Sequence, residues 1–189
     1  SADLPAASLV VTTVAPVSRE LDRSISVSGS VSAWQEMSLG VELTGIRATE
    51  VLVEVGDRVR AGQPLLKLDN RTLEVQFRQD DAGVTQAQAA LELARANAVR
   101  GDSLVEQGLI SSSDSDKLRA DLRSAEAQLI TAQADRDAAR LRLGFATLSA
   151  PDDGIISARL VQPGQVVSAG SELLRLIRRG RLEWRADLA

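Results

Sequence analysis

Two stretches of this chain repeat one another, and the repeat limits what the chain can fold into. VEVGDRVRAGQPLLKLD covers residues 53–69 and VQPGQVVSAGSELLRLI covers residues 161–177. Aligned at Gly56 and Gly164, seven of thirteen positions are identical: both glycines, Val59 with Val167, Ala61 with Ala169, Gly62 with Gly170, Leu65 and Leu66 with Leu173 and Leu174, and Leu68 with Leu176. The shared positions are those that set backbone shape and burial, while the polar positions vary, as in an internal structural repeat. One copy is a few short strands and cannot bury both of its faces. Two copies together can close one small β-sandwich.

Between the copies the composition changes. From residue 71 to 143 glycine and proline nearly vanish. Apolar residues recur at 3–4 spacing through Leu73, Phe77, Val84, Ala87, Leu91, Ala94, Ala98 and Val105, interrupted by Asp80 and Gly101. A second run passes through Leu118, Leu122, Ala125, Leu129, Ala132, Ala139 and Leu143, interrupted by Arg136. These are heptad seams. The spacing predicts helices over about 71–107 and 113–143. Gly108 suits a left-handed cap on the first, and the Ser and Asp residues at 111–116 suit the start of the second. A turn this short folds the helices back into an antiparallel coiled-coil hairpin; two helices of an ordinary bundle are the alternative. The repeat predicts two superposable β halves over 41–69 and 148–177, with Asp69 close to Thr147 and the hairpin inserted between them.

Other residues narrow the function. Neither a basic patch nor interleaved aromatics appear, and the net charge is −4, which argues against nucleic-acid binding. With no Cys and no His there is no thiolate or imidazole metal site and no Ser–His or Cys nucleophile. Asp152 and Asp153 lie between Pro151 and Gly154, a turn signal rather than a catalytic pair. No catalytic residue, cofactor or metal is expected. Both flanks read as strands: LVVTTVAPVSREL near the start places Val10, Thr12 and Val14 on one face, and the C-terminal stretch alternates Leu182, Trp184, Ala186 and Leu188.

The half-motif Gly-x-x-Val-x-x-Gly-x-x-Leu resembles the biotinyl/lipoyl domain. In carriers of that family a lysine at a tight turn between the halves bears the cofactor. Here Lys67 falls inside a predicted strand and Lys117 near the start of the second helix, so a carrier is the remote alternative. A lipoyl-like domain split by a helical hairpin resembles the HlyD-like membrane fusion proteins, the periplasmic adaptors of tripartite efflux pumps, over roughly residues 9–189. ISVSGSV (25–31) and LSAPDDGIIS (148–157) agree with that resemblance.

The resemblance implies an α+β fold, a lipoyl-like barrel-sandwich hybrid over 24–69 and 147–179. A hairpin over 70–146 would split it, and strands of an incomplete β-barrel at 9–23 and 180–189 would flank it. It implies a non-enzymatic periplasmic adaptor, attached to the inner membrane by an anchor not present in this sequence. The partners implied are an inner-membrane transporter of the resistance–nodulation–division (RND) class, a TolC-type outer-membrane channel and further copies in a ring, a hexamer. An adaptor of an ABC exporter or type I secretion system is the alternative. The family's tip pattern Arg-x3-Leu-x6-Ser matches Arg100, Leu104 and Ser111, which the resemblance assigns to channel docking. Tip packing, a solvated helix charge and a plain N-cap are the other reading of those three. Gly56, Gly62, Gly164 and Gly170 are assigned to the turns of the repeat.

Overall fold

The computed structural model describes residues 12–20 and 27–186. Strands β1 (Gly29–Ala33), β2 (Glu36–Leu39), β3 (Ile46–Val51), β4 (Arg58–Val59) and β5 (Pro64–Leu68) precede helices α1 (Arg71–Glu106) and α2 (Ser112–Gly144). Strands β6 (Thr147–Ser149), β7 (Gly154–Arg159), β8 (Val166–Val167), β9 (Leu174–Arg178) and β10 (Leu182–Ala186) follow.

The repeat is a two-fold operation on the fold. One four-stranded sheet has the order β2-β9-β7-β4 and the other β6-β5-β3-β8. Exchanging the halves converts one order into the other, and each half lends a two-residue strand to its partner's sheet. The hydrogen bonds repeat as well. Gly56 N–H donates to Ile156 O at 2.8 Å and Gly164 N–H to Ala48 O at 2.8 Å; Ile156 N–H donates to Asp57 O at 3.0 Å and Ala48 N–H to Gln165 O at 2.8 Å.

The repeated glycines have a common reason. Asp57 N–H bonds Glu54 O, and Gln165 N–H bonds Gln162 O, closing turns whose third residue is Gly56 (φ 97°) or Gly164 (φ 88°). Gly62 (φ 79°) and Gly170 (φ 78°) hold the same place in turns closed by Gln63 and Ser171. A positive φ at that position is the mark of a type II turn and favours glycine, and Pro163 fits the position before it.

The sheets face each other across one core. Ala48, Val53, Val59, Leu65, Leu66 and Leu68 come from the first copy, and Ile156, Val161, Val167, Leu173, Leu174 and Leu176 from the second, all buried. Each fully buried Leu or Ile contributes about 1.5–3 kcal/mol. The halves are therefore mutually dependent, as the repeat predicts. Asp69 and Thr147 are neighbours: Lys67 pairs with Thr147, and Leu68 N–H donates to Ala146 O at 2.8 Å.

The flanks differ from expectation. Residues 12–20, expected within a strand over 9–23, form no regular element; Val10 and the rest of that span lie outside the described residues. The strand that does form is β1, and it pairs with β10 instead of joining either sandwich sheet. Val31, Leu182 and Trp184 on this ribbon are more than half exposed, so its apolar side chains are left largely uncovered by the described residues. Arg181 stacks over Trp34 at 4.8 Å where ribbon and sandwich meet. Ile25 and Leu188 also lie outside the described residues.

The helices match the predicted bounds within a residue or two and pack antiparallel along their seams. Val84, Ala98, Ala125 and Ala139 are buried, with Leu91 and Leu129 half-buried beside them. The polar interruptions are satisfied within their own helices: Gln76 donates to Asp80 at 3.0 Å, and Arg136 pairs with Asp137 at 2.8 Å. At about 1.5 Å per residue, α1 carries its far end about 54 Å from the sandwich.

Candidate functional site

The far end of the hairpin is built from two helix caps and one cross-link. Gly108, at φ 69°, ends α1 in a Schellman turn: Gly108 N–H bonds Val105 O and Leu109 N–H bonds Leu104 O, both at 2.9 Å. Three residues later Ser111 caps α2 in a capping box. Asp114 N–H donates to Ser111 Oγ at 3.1 Å, Ser111 N–H donates to Asp114 Oδ2 at 3.4 Å, and Ser111 Oγ–H donates to Asp114 Oδ2 at 2.7 Å. The Ser111 hydroxyl, followed by its backbone N–H, lowers the Asp114 pKa below the usual carboxylate value.

The three residues that the resemblance singled out are brought toward this tip. Arg100 and Leu104 are one turn apart on α1 and share a face. Arg100 is exposed, and its guanidinium bonds the Asn97 side chain at 2.5 Å. No carboxylate of the described residues pairs with it, so its charge is available. Leu104 is 36% exposed. Ser111 has already donated its proton to Asp114, so what it offers a partner is the acceptor capacity of its oxygen. Exposed Val99 and Leu109 add apolar surface that the tip pattern did not pick out. Leu109 is readable in principle, because the residue after a capping glycine commonly carries an apolar side chain.

The cross-link was not legible. Ser115 Oγ–H donates to Asp102 Oδ1 at 2.8 Å, and Arg119 Nε–H donates to the same oxygen at 3.0 Å. Ser115 is 4% exposed, the one polar residue buried as a whole among the described residues. The Ser115 hydroxyl above all lowers the Asp102 pKa; burial opposes it, and Arg119 adds to the lowering. Gly101 beside it makes room for Leu118, whose Cδ1 occupies the space a Cβ would need.

The two lysines are placed as their sequence context predicted. Lys67 lies within β5 and pairs with Glu50 at 3.0 Å, and Lys117 lies on α2; neither stands at a turn between the halves. Gly56, Gly62, Gly164 and Gly170 serve the turns described above.

Residues 69–146, the hairpin with its two junctions, match the family described as RND MFP, alpha-helical hairpin domain. The hairpin belongs to that family of membrane fusion proteins. Among curated relatives, multidrug resistance protein MdtA of Yersinia enterocolitica is 31% identical over 130 residues, covering 69% of this chain and 28% of MdtA. The chain thus spans about a third or less of the curated relatives it matches. Two solved structures share the fold of this chain. The membrane fusion protein Spr0693 from Streptococcus pneumoniae R6 superposes with a TM-score of 0.64 at 18% identity, over 82% of this chain and 64% of Spr0693. The periplasmic adaptor protein EmrA superposes with a TM-score of 0.58 at 16% identity, over 84% of this chain and 77% of EmrA. No helix among the described residues is long and apolar enough to cross a membrane.

Proposed function

We propose that the full-length protein is a periplasmic adaptor, attached to the inner membrane, that bridges an inner-membrane transporter to a TolC-type outer-membrane channel in a tripartite efflux pump. Its hairpin tip docks on the channel. Several copies, six in a closed ring, surround the conduit. The family match to the RND class favours an RND transporter over an ABC exporter as the inner partner.

The observation that carries this reading is the tip itself. A guanidinium without a carboxylate partner, a partly exposed leucine and a capping hydroxyl stand toward the far end of a rigid arm, about as far from the sandwich as the fold permits. The guanidinium can fork onto a carboxylate or carbonyl, the leucine supplies apolar contact and the serine oxygen accepts a hydrogen bond.

The test is Arg100→Asp. A solvated charge changes little on substitution, within about 0.5 kcal/mol. A charge engaged across an interface and reversed in sign costs at least about 2 kcal/mol per copy, and a ring multiplies the loss. Export-dependent resistance should therefore collapse at matched protein level, while Arg78→Asp, near the base of α1, leaves it intact. Equal resistance from wild type and Arg100→Asp would reduce the tip residues to capping and packing.

A further inference from the structure

We propose that Asp102 is a positioning residue for the docking tip: held by Ser115 and Arg119 across the hairpin, it aims Arg100 and Leu104 away from α2. The inference rests on the docking reading above and adds residues that the tip pattern does not contain.

The geometry follows from the helix repeat. Successive residues turn by about 100°, so Arg100 and Leu104, each two positions from Asp102, point about 200° away from it. Turning Asp102 toward α2 therefore turns both docking residues outward. The hold on Asp102 is specific. Ser115 Oγ–H and Arg119 Nε–H both donate to Oδ1, at 2.8 and 3.0 Å, and Arg119 closes an ion pair at 2.9 Å. Ser115 and Arg119 are one turn apart on α2, so two successive turns grip one carboxylate. Ser111 lies one turn before Ser115, which ties the cap to the same register.

The seam explains why such a device is needed. Several of its buried or half-buried positions near the tip are small, Ala94, Ala98 and Gly101 on α1 and Ala125 on α2, beside the larger Val105, Leu118 and Leu122. Small residues let the helices approach but leave shallow knobs, which resist sliding and rotation weakly. A buried polar contact is the usual way a coiled coil fixes register, because any slip leaves its donor unsatisfied. Here a slip would strand the buried Ser115 hydroxyl.

The experiment measures capture of a purified TolC-type channel by the 189-residue chain, comparing wild type, Asp102→Ala, Arg100→Asp and the charge exchange Asp102→Arg with Arg119→Asp. Because the sequence has no cysteine, spin labels at Val99→Cys and Ala120→Cys report the tip geometry of each variant without background. Asp102→Ala is expected to raise the Kd for the channel about tenfold and to broaden the label distance distribution, with helix content retained. The charge exchange should restore both toward wild type, which a mere loss of stability would not predict. Wild-type Kd for Asp102→Ala, or weakened capture with an unchanged label distribution, would overturn the proposal. Should Arg100→Asp itself bind the channel like wild type, the docking reading fails first. Loss in Arg100→Asp with none in Asp102→Ala leaves docking standing and removes only the positioning role.

Discussion

Gly154→Ala tests how tightly β7 packs against β9 at the centre of its sheet. Gly154 opens β7 and pairs with Arg178 on one side and Val59 on the other. A methyl group there would press well inside van der Waals distance of the Ile177 carbonyl oxygen and lie 2.8 Å from Leu176 Cδ1. The leucine could turn aside; the carbonyl belongs to a central strand and cannot. Relief requires β7 and β9 to part where they pair. Overpacking of this kind costs about 1–3 kcal/mol, and a lost ladder hydrogen bond about 1 more, for a sum of about 3 kcal/mol. Gly164→Ala is the matched control. Nothing lies within 4 Å of its added Cβ, so only the positive φ of 88° resists it, at about 1–2 kcal/mol. For a chain of this size 1 kcal/mol is worth about 2–4 °C. Gly154→Ala should melt about 10 °C below wild type, and Gly164→Ala about 4 °C below. The helical circular dichroism signal at 222 nm can follow both, because the base of the hairpin is pinned by β5 and β6. A Gly154→Ala protein melting at or above Gly164→Ala would refute the steric argument. A helical signal outlasting the sandwich would refute the coupling of hairpin to core.

Two further outcomes can be checked directly. Leu91→Asp puts a charge into the half-buried seam opposite Leu129 and should destabilise the hairpin by about 2–4 kcal/mol; unchanged amide exchange over residues 84–98 would show that the seam is misassigned. Asp102 and Asp114 have lowered pKa values in the fold, and Asp69, hydrogen-bonded to Arg71, is lowered to about 2. Their contribution is present above the ordinary carboxylate pKa near 4 and is lost as pH falls through the folded values. Amide protection at the start of α2 should therefore hold from pH 7 to about pH 5 and fall as acid protonates Asp102 and Asp114 below the ordinary carboxylate pKa, and protection that survives their full protonation would contradict the cap assignment.

Much of this molecule is local and could be read from the chain. The glycine and leucine repeat specifies turns and core positions whose requirements lie within a few residues, so Gly56, Gly164 and their neighbours stand where the alignment puts them. The heptads of α1 and α2 are likewise local, because a 3.6-residue period marks its own buried face. The capping glycine between the heptad runs marked the tip, and the resemblance's pattern named Arg100, Leu104 and Ser111 around it. Pairing was different. That β1 joins β10, that β4 and β8 exchange sheets, and that Asp102 meets Ser115 and Arg119 all depend on partners far apart in sequence or on the register between two helices. Asp102 shows the limit most plainly. On its own helix it is one exposed-type residue among many, and its partners are set only when the seam closes and Leu118 drops into the space left by Gly101. Short-range sterics and periodicity chose the elements of this chain; the closing of the core and the seam chose which of them touch.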